Sequence, residues 1–256
     1  MQGHIAPLTA PSRWLSTGFT AIKHSLLGMV SITMFYVFTM SLLGSLPLIG
    51  VVLAGIFMPY GTLLIVQGTQ RAFSGSHPDY RILVDLYHDQ RIRSVFMKIS
   101  LLYSALIMIA NDLYAWTARS SIEHWESVDG RLVWDSVWAN IPWPALALTF
   151  LVFAITQMLT WFAPMLVYYK RMDFTKATFY SFFGIARNWL ATLVLIVHLL
   201  IITFVAGMGA SLLINSLGLF NYGIWIVAPV AFGLSTLAYS SIWPMWSDIY
   251  GDVQPD

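Results

Sequence analysis

From Ser25 to Gln70 the chain runs for 46 residues without a lysine, arginine, aspartate or glutamate. A helix that crosses the hydrocarbon layer needs roughly 20 mostly apolar residues, and its backbone polar groups must be satisfied within it. The stretch is therefore read as two such helices, with Gly44, Ser45 and Pro47 marking the turn between them. A second charge-free run of 34 residues, Ser136 to Tyr169, holds a fourth span over 144–169. A third run of 60 residues, Asn188 to Ser247, is interrupted by Asn215, Ser216, Gly218 and Asn221 and gives a fifth and a sixth. The third span is the shortest: only 13 uncharged residues separate Lys98 from Asp112. Lys98 can snorkel, however, and the apolar pattern extends from Val95 to Trp116. Charged residues make up 10% of the chain, against about 25% in ordinary soluble domains, which excludes an all-aqueous globule. The fold class expected is all-α, a polytopic membrane protein forming a single integral membrane domain over 1–256.

The few charges fix the threading. With six crossings and the N-terminus inside, 11 of the 13 Lys and Arg fall in inner segments, where cationic residues are retained. Only Arg119 and Arg131 lie outside, among Asp112, Glu123, Glu126, Asp129 and Asp135. Without the third span, the Lys170 to Arg187 segment would move outside and the asymmetry would collapse. Both termini are thus expected on the cytoplasmic side. Pro7, Pro11 and Arg13 precede the first apolar run, which is long enough to stay as an anchor rather than to act as a cleaved signal. A formal charge of +1 gives no reason to expect nucleic acid as a partner. The lack of cysteine excludes disulfides, thiolate-bound zinc, iron–sulfur clusters and a cysteine nucleophile.

A threefold pattern runs through the chain, with units expected at 12–70, 78–172 and 174–248. The even spans carry Phe57-Met58-Pro59, Phe162-Ala163-Pro164 and Ile242-Trp243-Pro244, so Pro59, Pro164 and Pro244 are candidate kinks. Ahead of the odd spans stand Phe19 and Lys23, Tyr87 and Arg91, Phe183 and Arg187. The i, i+4 spacing places ring and cation on one face of a short interfacial amphipathic helix. Lys23, Arg91 and Arg187 are accordingly candidate contacts for lipid headgroups, and membrane lipids the expected partners. Trp14, Trp189, Trp243 and Trp246 near the inner boundary, and Trp116, Trp143 and Trp225 near the outer one, are read as interfacial anchors. The outer loop, 118–143, is expected to form a turn at Asp129-Gly130 and a short surface helix bearing Trp134 and Trp138.

Among short motifs there is no phosphate-binding loop, zinc-protease histidine pair, nucleophile elbow or dinucleotide fingerprint. No catalytic residue, cofactor or metal is therefore assigned. Glu123, His124 and Glu126 do not converge on one helix, and Asp85, His88 and Asp89 beside Arg81, Arg91 and Arg93 read as a solvated mixed-charge face. Inside the hydrocarbon, Gln157 and His198 are the strongly polar groups far from the ends. Gln157 lies 13 residues before Lys170 and His198 lies 11 after Arg187, roughly 20 and 16 Å at the helical rise. Both are expected to face inward and to approach one another, either as an interhelical hydrogen bond or as a polar site on a solute or proton path, with Thr156, Thr160 and Thr203 adding hydroxyls.

Several residues together, Trp14, Gly18, Phe19, Pro59, the run Phe162-Ala163-Pro164-Met165-Leu166-Val167, Ala177, Ser181-Phe182-Phe183 and Arg187-Asn188-Trp189, give the chain a family likeness. It resembles an uncharacterised bacterial family of six-span inner-membrane proteins. More distantly it is similar to the membrane-domain superfamily associated with some glycerophosphoryl diester phosphodiesterases. The resemblance implies a bacterial inner-membrane location and a six-span fold, and it transfers no catalytic or ligand-binding residue. The function expected is that of a non-enzymatic membrane protein which organises the envelope, contacts lipid or supports a membrane-protein partner. The alternative is a small transporter or channel built on Gln157 and His198.

Overall fold

The computed structural model describes residues 3–219 and 222–251, which leaves Asn221 outside the described residues. Twelve helices follow one another among them: α1 (Ala10–His24), α2 (Leu26–Gly44), α3 (Gly50–Phe73), α4 (Arg81–His88), α5 (Gln90–Ile122), α6 (Trp134–Ala139), α7 (Trp143–Thr160), α8 (Ala163–Lys170), α9 (Phe174–Arg187), α10 (Trp189–Leu217), α11 (Gly223–Ser240) and α12 (Ile242–Tyr250). Six stretches are long and apolar enough to cross a membrane: α2, α3, α5, the pair α7–α8, α10 and the pair α11–α12. The chain is an all-α polytopic protein. Three times a shorter helix precedes a hairpin of spans: α1 before α2 and α3, α4 before α5 and α7–α8, α9 before α10 and α11–α12.

Local chemistry explains the element ends. Asp89 caps α5 by accepting from the N–H groups of Arg91 and Ile92, both at 3.0 Å, and Asp173 caps α9 by accepting from the Lys176 N–H at 2.9 Å. Gly218 closes α10 in the left-handed conformation, φ 64°. The loop over 118–143 turns, as expected, at Asp129 and Gly130, whose φ values of 52° and 75° make the turn of a small hairpin between β1 (Ser127–Val128) and β2 (Arg131–Leu132), with α6 following.

The core is one-sided. Its largest enclosed side chains include Trp14 of α1, Met29 and Ile32 of the first half of α2, Leu63 and Leu64 of the C-terminal half of α3, Leu86 of α4, Phe96 near the start of α5, and Phe162, Met165 and Leu166 at the α7–α8 junction and in α8. Met245, Trp246 and Ile249 of α12 join them. This is the end of the bundle where the short helices gather. α3 runs through the middle against α1, α2, α5, α8, α11 and α12. α10 packs on α11, α1 and α9, and elsewhere presents Leu200, Phe204, Met208 and Leu212, the apolar surface a lipid-facing helix requires.

Two expectations fail here. Trp14 and Trp246 are core residues, only 1% and 3% exposed, because α1 and α12 pack on the bundle instead of lying free at the surface. Trp116, Trp143, Trp189 and Trp225 are exposed, as interfacial anchors are. The Tyr87–Arg91 pair also does not form. Asp89, at ψ 101°, separates α4 from α5, so the helical period does not run from 87 to 91; Arg93 reaches the Tyr87 ring instead, 5.3 Å from its centroid.

Candidate binding cavity between the hairpins

The odd and even spans do not close completely. A cavity of about 500 Å³ remains, lined from α2 by Tyr36, Val37, Met40 and Ser41, from α3 by Met58 and Thr62, and from α5 by Tyr103. Phe153, Gln157, Thr160 and Trp161 line it from the end of α7, with Tyr239 of α11 and Ile242 of α12. All three hairpins thus contribute. Met58, Trp161 and Ile242 stand one, three and two residues before Pro59, Pro164 and Pro244, so the sequence repeat converges on this space.

The three prolines fall in two settings. Pro59 lies inside an unbroken α3. Pro164 sits in the first turn of α8, just after the break at Trp161 and Phe162. The wedge at that break is Ser181 of α9: its hydroxyl accepts from the Phe162 N–H at 3.0 Å and donates to the Met158 carbonyl at 2.8 Å. Those two backbone groups would bond each other in a continuous helix, so Ser181 stands between them and satisfies both. Pro244 likewise begins a new segment, α12, after the chain turns at Ser241.

The wall chemistry is neutral. No Asp, Glu, Lys, Arg or His is among the lining residues. The Thr62 and Thr160 hydroxyls donate to carbonyls of their own helices, Met58 at 2.9 Å and Thr156 at 2.8 Å, so only their lone pairs are left for a guest. Tyr36 and Tyr239 meet edge to face with ring centroids 5.2 Å apart. Tyr36 reaches this position because Gly61 faces its ring, and a methyl group there would overlap it.

Of the two mid-depth polar residues, Gln157 lines the cavity and His198 does not. The expected approach is not made. His198 lies on α10, which does not pack beside α7, and its Nδ1–H donates to the Val194 carbonyl one turn back at 2.7 Å. That bond satisfies one of the two ring nitrogens within the residue's own helix. Thr156 is buried in α7 and Thr203 lies in a shallow groove on α10, away from the cavity.

The three basic candidates separate in the same way. Lys23 is exposed, with its ammonium 5.0 Å from the Phe19 centroid, the arrangement their spacing implies. Arg187 is exposed beside Phe183, in a cleft of about 180 Å³ that Phe179, Tyr180 and Tyr250 also line. Arg91 is engaged by protein: its guanidinium donates to the carbonyls of Arg171 and, at 3.3 Å, Met172, tying the start of α5 to the end of α8. Arg171 answers with an ion pair to Asp89 at 3.4 Å. Among the described residues no group of three His, Asp or Glu gathers as a metal site would require.

Comparison of the chain with protein-family models, with curated proteins and with solved structures gives no match in any of the three.

Proposed function

We propose that the protein is a membrane-embedded binding protein or small carrier of the bacterial inner membrane, in which the cavity at the junction of the three hairpins receives a small molecule. One observation carries the reading: Gln157, a residue costly to place at mid-depth, faces a space of about 500 Å³, within the range of ligand pockets, rather than a protein partner. The wall offers hydroxyls, an amide and an indole but no carboxylate, base or nucleophile pair, which favours binding or passage over catalysis. His198 is left out of this site. The end bearing α1, α4 and α9 carries most of the lysine and arginine and is assigned to the cytoplasm together with both termini. Lys23 and Arg187 there face lipid phosphates. The exposed apolar flank of α10 faces acyl chains or a membrane-protein partner.

A chain without cysteine allows a direct test. Single cysteines at Gln157, Tyr103 and Ser41, and a lipid-facing control at Phe204, are treated with a small water-soluble thiol reagent in nanodiscs. Cavity cysteines are expected to react at least tenfold faster than Phe204→Cys. Equal, slow reaction at all four positions would mean a dry, closed core and would remove the reading.

A further inference from the structure

Three basic residues hold equivalent places ahead of the odd spans, and two of them are answered by the protein itself. Lys23 lies over the Phe19 ring, and Arg91 donates to the carbonyls of Arg171 and Met172. Arg187 is exposed, and its guanidinium has no ion pair, hydrogen bond or cation–π contact among the described residues. It stands beside a cleft built from three parts of the chain. α9 supplies Phe179, Phe183 and Arg187, four residues apart and so on one helical face, while Gly3 comes from the N-terminal segment and Tyr250 from α12. The walls are fixed by polar contacts that leave the arginine out. Buried Asn188 accepts from the Ala6 N–H at 2.7 Å and donates to the His4 carbonyl at 3.1 Å, which holds the N-terminal segment against the α9–α10 junction. The His4 N–H in turn donates to the Ile249 carbonyl at 2.8 Å. The Tyr250 hydroxyl donates to the Tyr180 carbonyl and lies against Gly184, where a Cβ would overlap it. No carboxylate is among the residues lining the cleft, so its one charge is a cation without a counterion.

Deepening the lipid contact given above for Arg187, we propose that this cleft is a discrete site for one anionic glycerophospholipid. The Arg187 guanidinium holds the phosphate, and the start of the acyl chains lies on the Phe179 and Phe183 rings. The charge selects the headgroup, since a guanidinium matches a phosphate with paired, charge-assisted hydrogen bonds. The surroundings select a lipid over a soluble phosphate ester. Phe179 and Phe183 are exposed with ring centroids 4.6 Å apart, and Trp189, Leu190 and Leu193 carry exposed apolar surface onward along the start of α10. The cation thus stands where a membrane-spanning helix begins, the depth of lipid phosphates. Lys23, already seated on a ring, meets those phosphates only as any surface charge does.

The test is native mass spectrometry of the full chain in mild detergent, titrated with phosphatidylglycerol, with phosphatidylcholine of the same acyl chains, and with glycerol phosphate. Wild type is expected to bind the first phosphatidylglycerol about tenfold more tightly than the first phosphatidylcholine, the value of roughly one charge-assisted hydrogen bond. Arg187→Gln should lose most of that preference and Lys23→Gln should keep it. Glycerol phosphate should bind wild type no better than it binds Arg187→Gln. A preference that survives in Arg187→Gln, or that falls equally in Lys23→Gln, would mean diffuse surface charge and would overturn the site. Displacement of the lipid by glycerol phosphate would overturn the lipid assignment. If Arg187→Gln does not fold, phosphatidylglycerol should slow the reaction of a thiol reagent with Phe179→Cys more than with Phe19→Cys, which stands beside Lys23; equal slowing would overturn the site in the same way. None of these measurements involves the cavity, so a dry cavity in the thiol test above leaves this site standing, and loss of this site leaves the cavity reading intact.

Discussion

The Trp14 indole N–H donates to the Asp248 carboxylate at 2.7 Å, across 234 positions of sequence, and so fastens the first helix of the protein to the last. Arg13 reaches the same oxygen at 2.9 Å, but its side chain is 64% exposed, and an exposed ion pair of this kind contributes at most about 1 kcal/mol. The buried indole is the larger partner. Asp248→Ala should destabilise the protein by about 1–3 kcal/mol because it strands a donor inside the core. Trp14→Phe combined with Asp248→Ala should lose less than the two single changes together, which a double-mutant cycle of denaturation in detergent would measure. Strict additivity would show that the contact has no coupling energy.

Ser181 provides the second prediction. Ser181→Ala leaves the Phe162 N–H without its acceptor and the Met158 carbonyl without its donor, both in the enclosed region around the α7–α8 break. A loss of about 2–4 kcal/mol is expected from two buried groups, unless α7 and α8 straighten to bond one another. Straightening would carry Trp161 and Gln157 out of the cavity wall. Either outcome departs from wild type: a lower unfolding temperature, or preserved stability with a lost thiol reaction at Gln157→Cys. Wild-type values for both would refute the wedge.

The contrast between Ser181 and the prolines shows what a sequence reading can reach. Six spans were legible because charge-free length is a one-dimensional property that lipid imposes directly on the chain. The helix breaks were legible in part, since Pro164 and Pro244 mark the segments that begin there. Their geometry was not, because the wedge at α7–α8 comes from a serine 17 residues beyond Pro164 whose role depends on tertiary packing. Gln157 stood out as a polar residue at mid-depth, and so did His198. Only packing separates the residue that needs a partner from the one that bonds its own helix. The cavity's tyrosines were missed for a different reason. Tyr36, Tyr103 and Tyr239 count as ordinary apolar span residues in a hydropathy reading, although phenols usually settle at membrane boundaries, and their depth in α2, α5 and α11 was a usable signal. The premise that tryptophan anchors at a membrane boundary misplaced Trp14 and Trp246, and Trp161 carried no reading in the sequence at all.

Gly61 supplies a steric prediction. An alanine methyl there would overlap the Tyr36 ring, whereas nothing lies within 4 Å of the corresponding position at Gly207 on the lipid-facing helix. Gly61→Ala should cost about 1–3 kcal/mol through overpacking and change the cavity, while Gly207→Ala should be neutral or stabilise by up to about 1 kcal/mol through helix propensity. Replacing Tyr36 by valine should relieve much of the Gly61→Ala penalty. Equal stability of the two glycine variants would argue against the close approach of α2 and α3.

Asp89 gives the protein a dependence on acid. Its carboxyl is held below the usual carboxylate range chiefly by the Ile92 N–H; desolvation, next in size, opposes this, and the Arg91 N–H and the Arg171 guanidinium add to the lowering. Asp79 is lowered too, first by the Arg81 N–H and then by Arg71. A carboxyl with a lower pKa folded than unfolded binds fewer protons in the native state, so its stabilisation is complete above the unfolded value of about 3.9 and disappears as pH falls through the folded one. Stability should therefore hold from neutrality to about pH 5 and fall progressively below about pH 4. Asn caps a helix about as well as Asp, so Asp89→Asn should keep the start of α5 while removing the Arg171 pair and part of the acid sensitivity. Unfolding temperatures of wild type and Asp89→Asn, measured in one detergent from pH 7 to pH 3, should converge as pH falls. Parallel curves over that range would show that the Asp89 carboxylate contributes nothing through its charge.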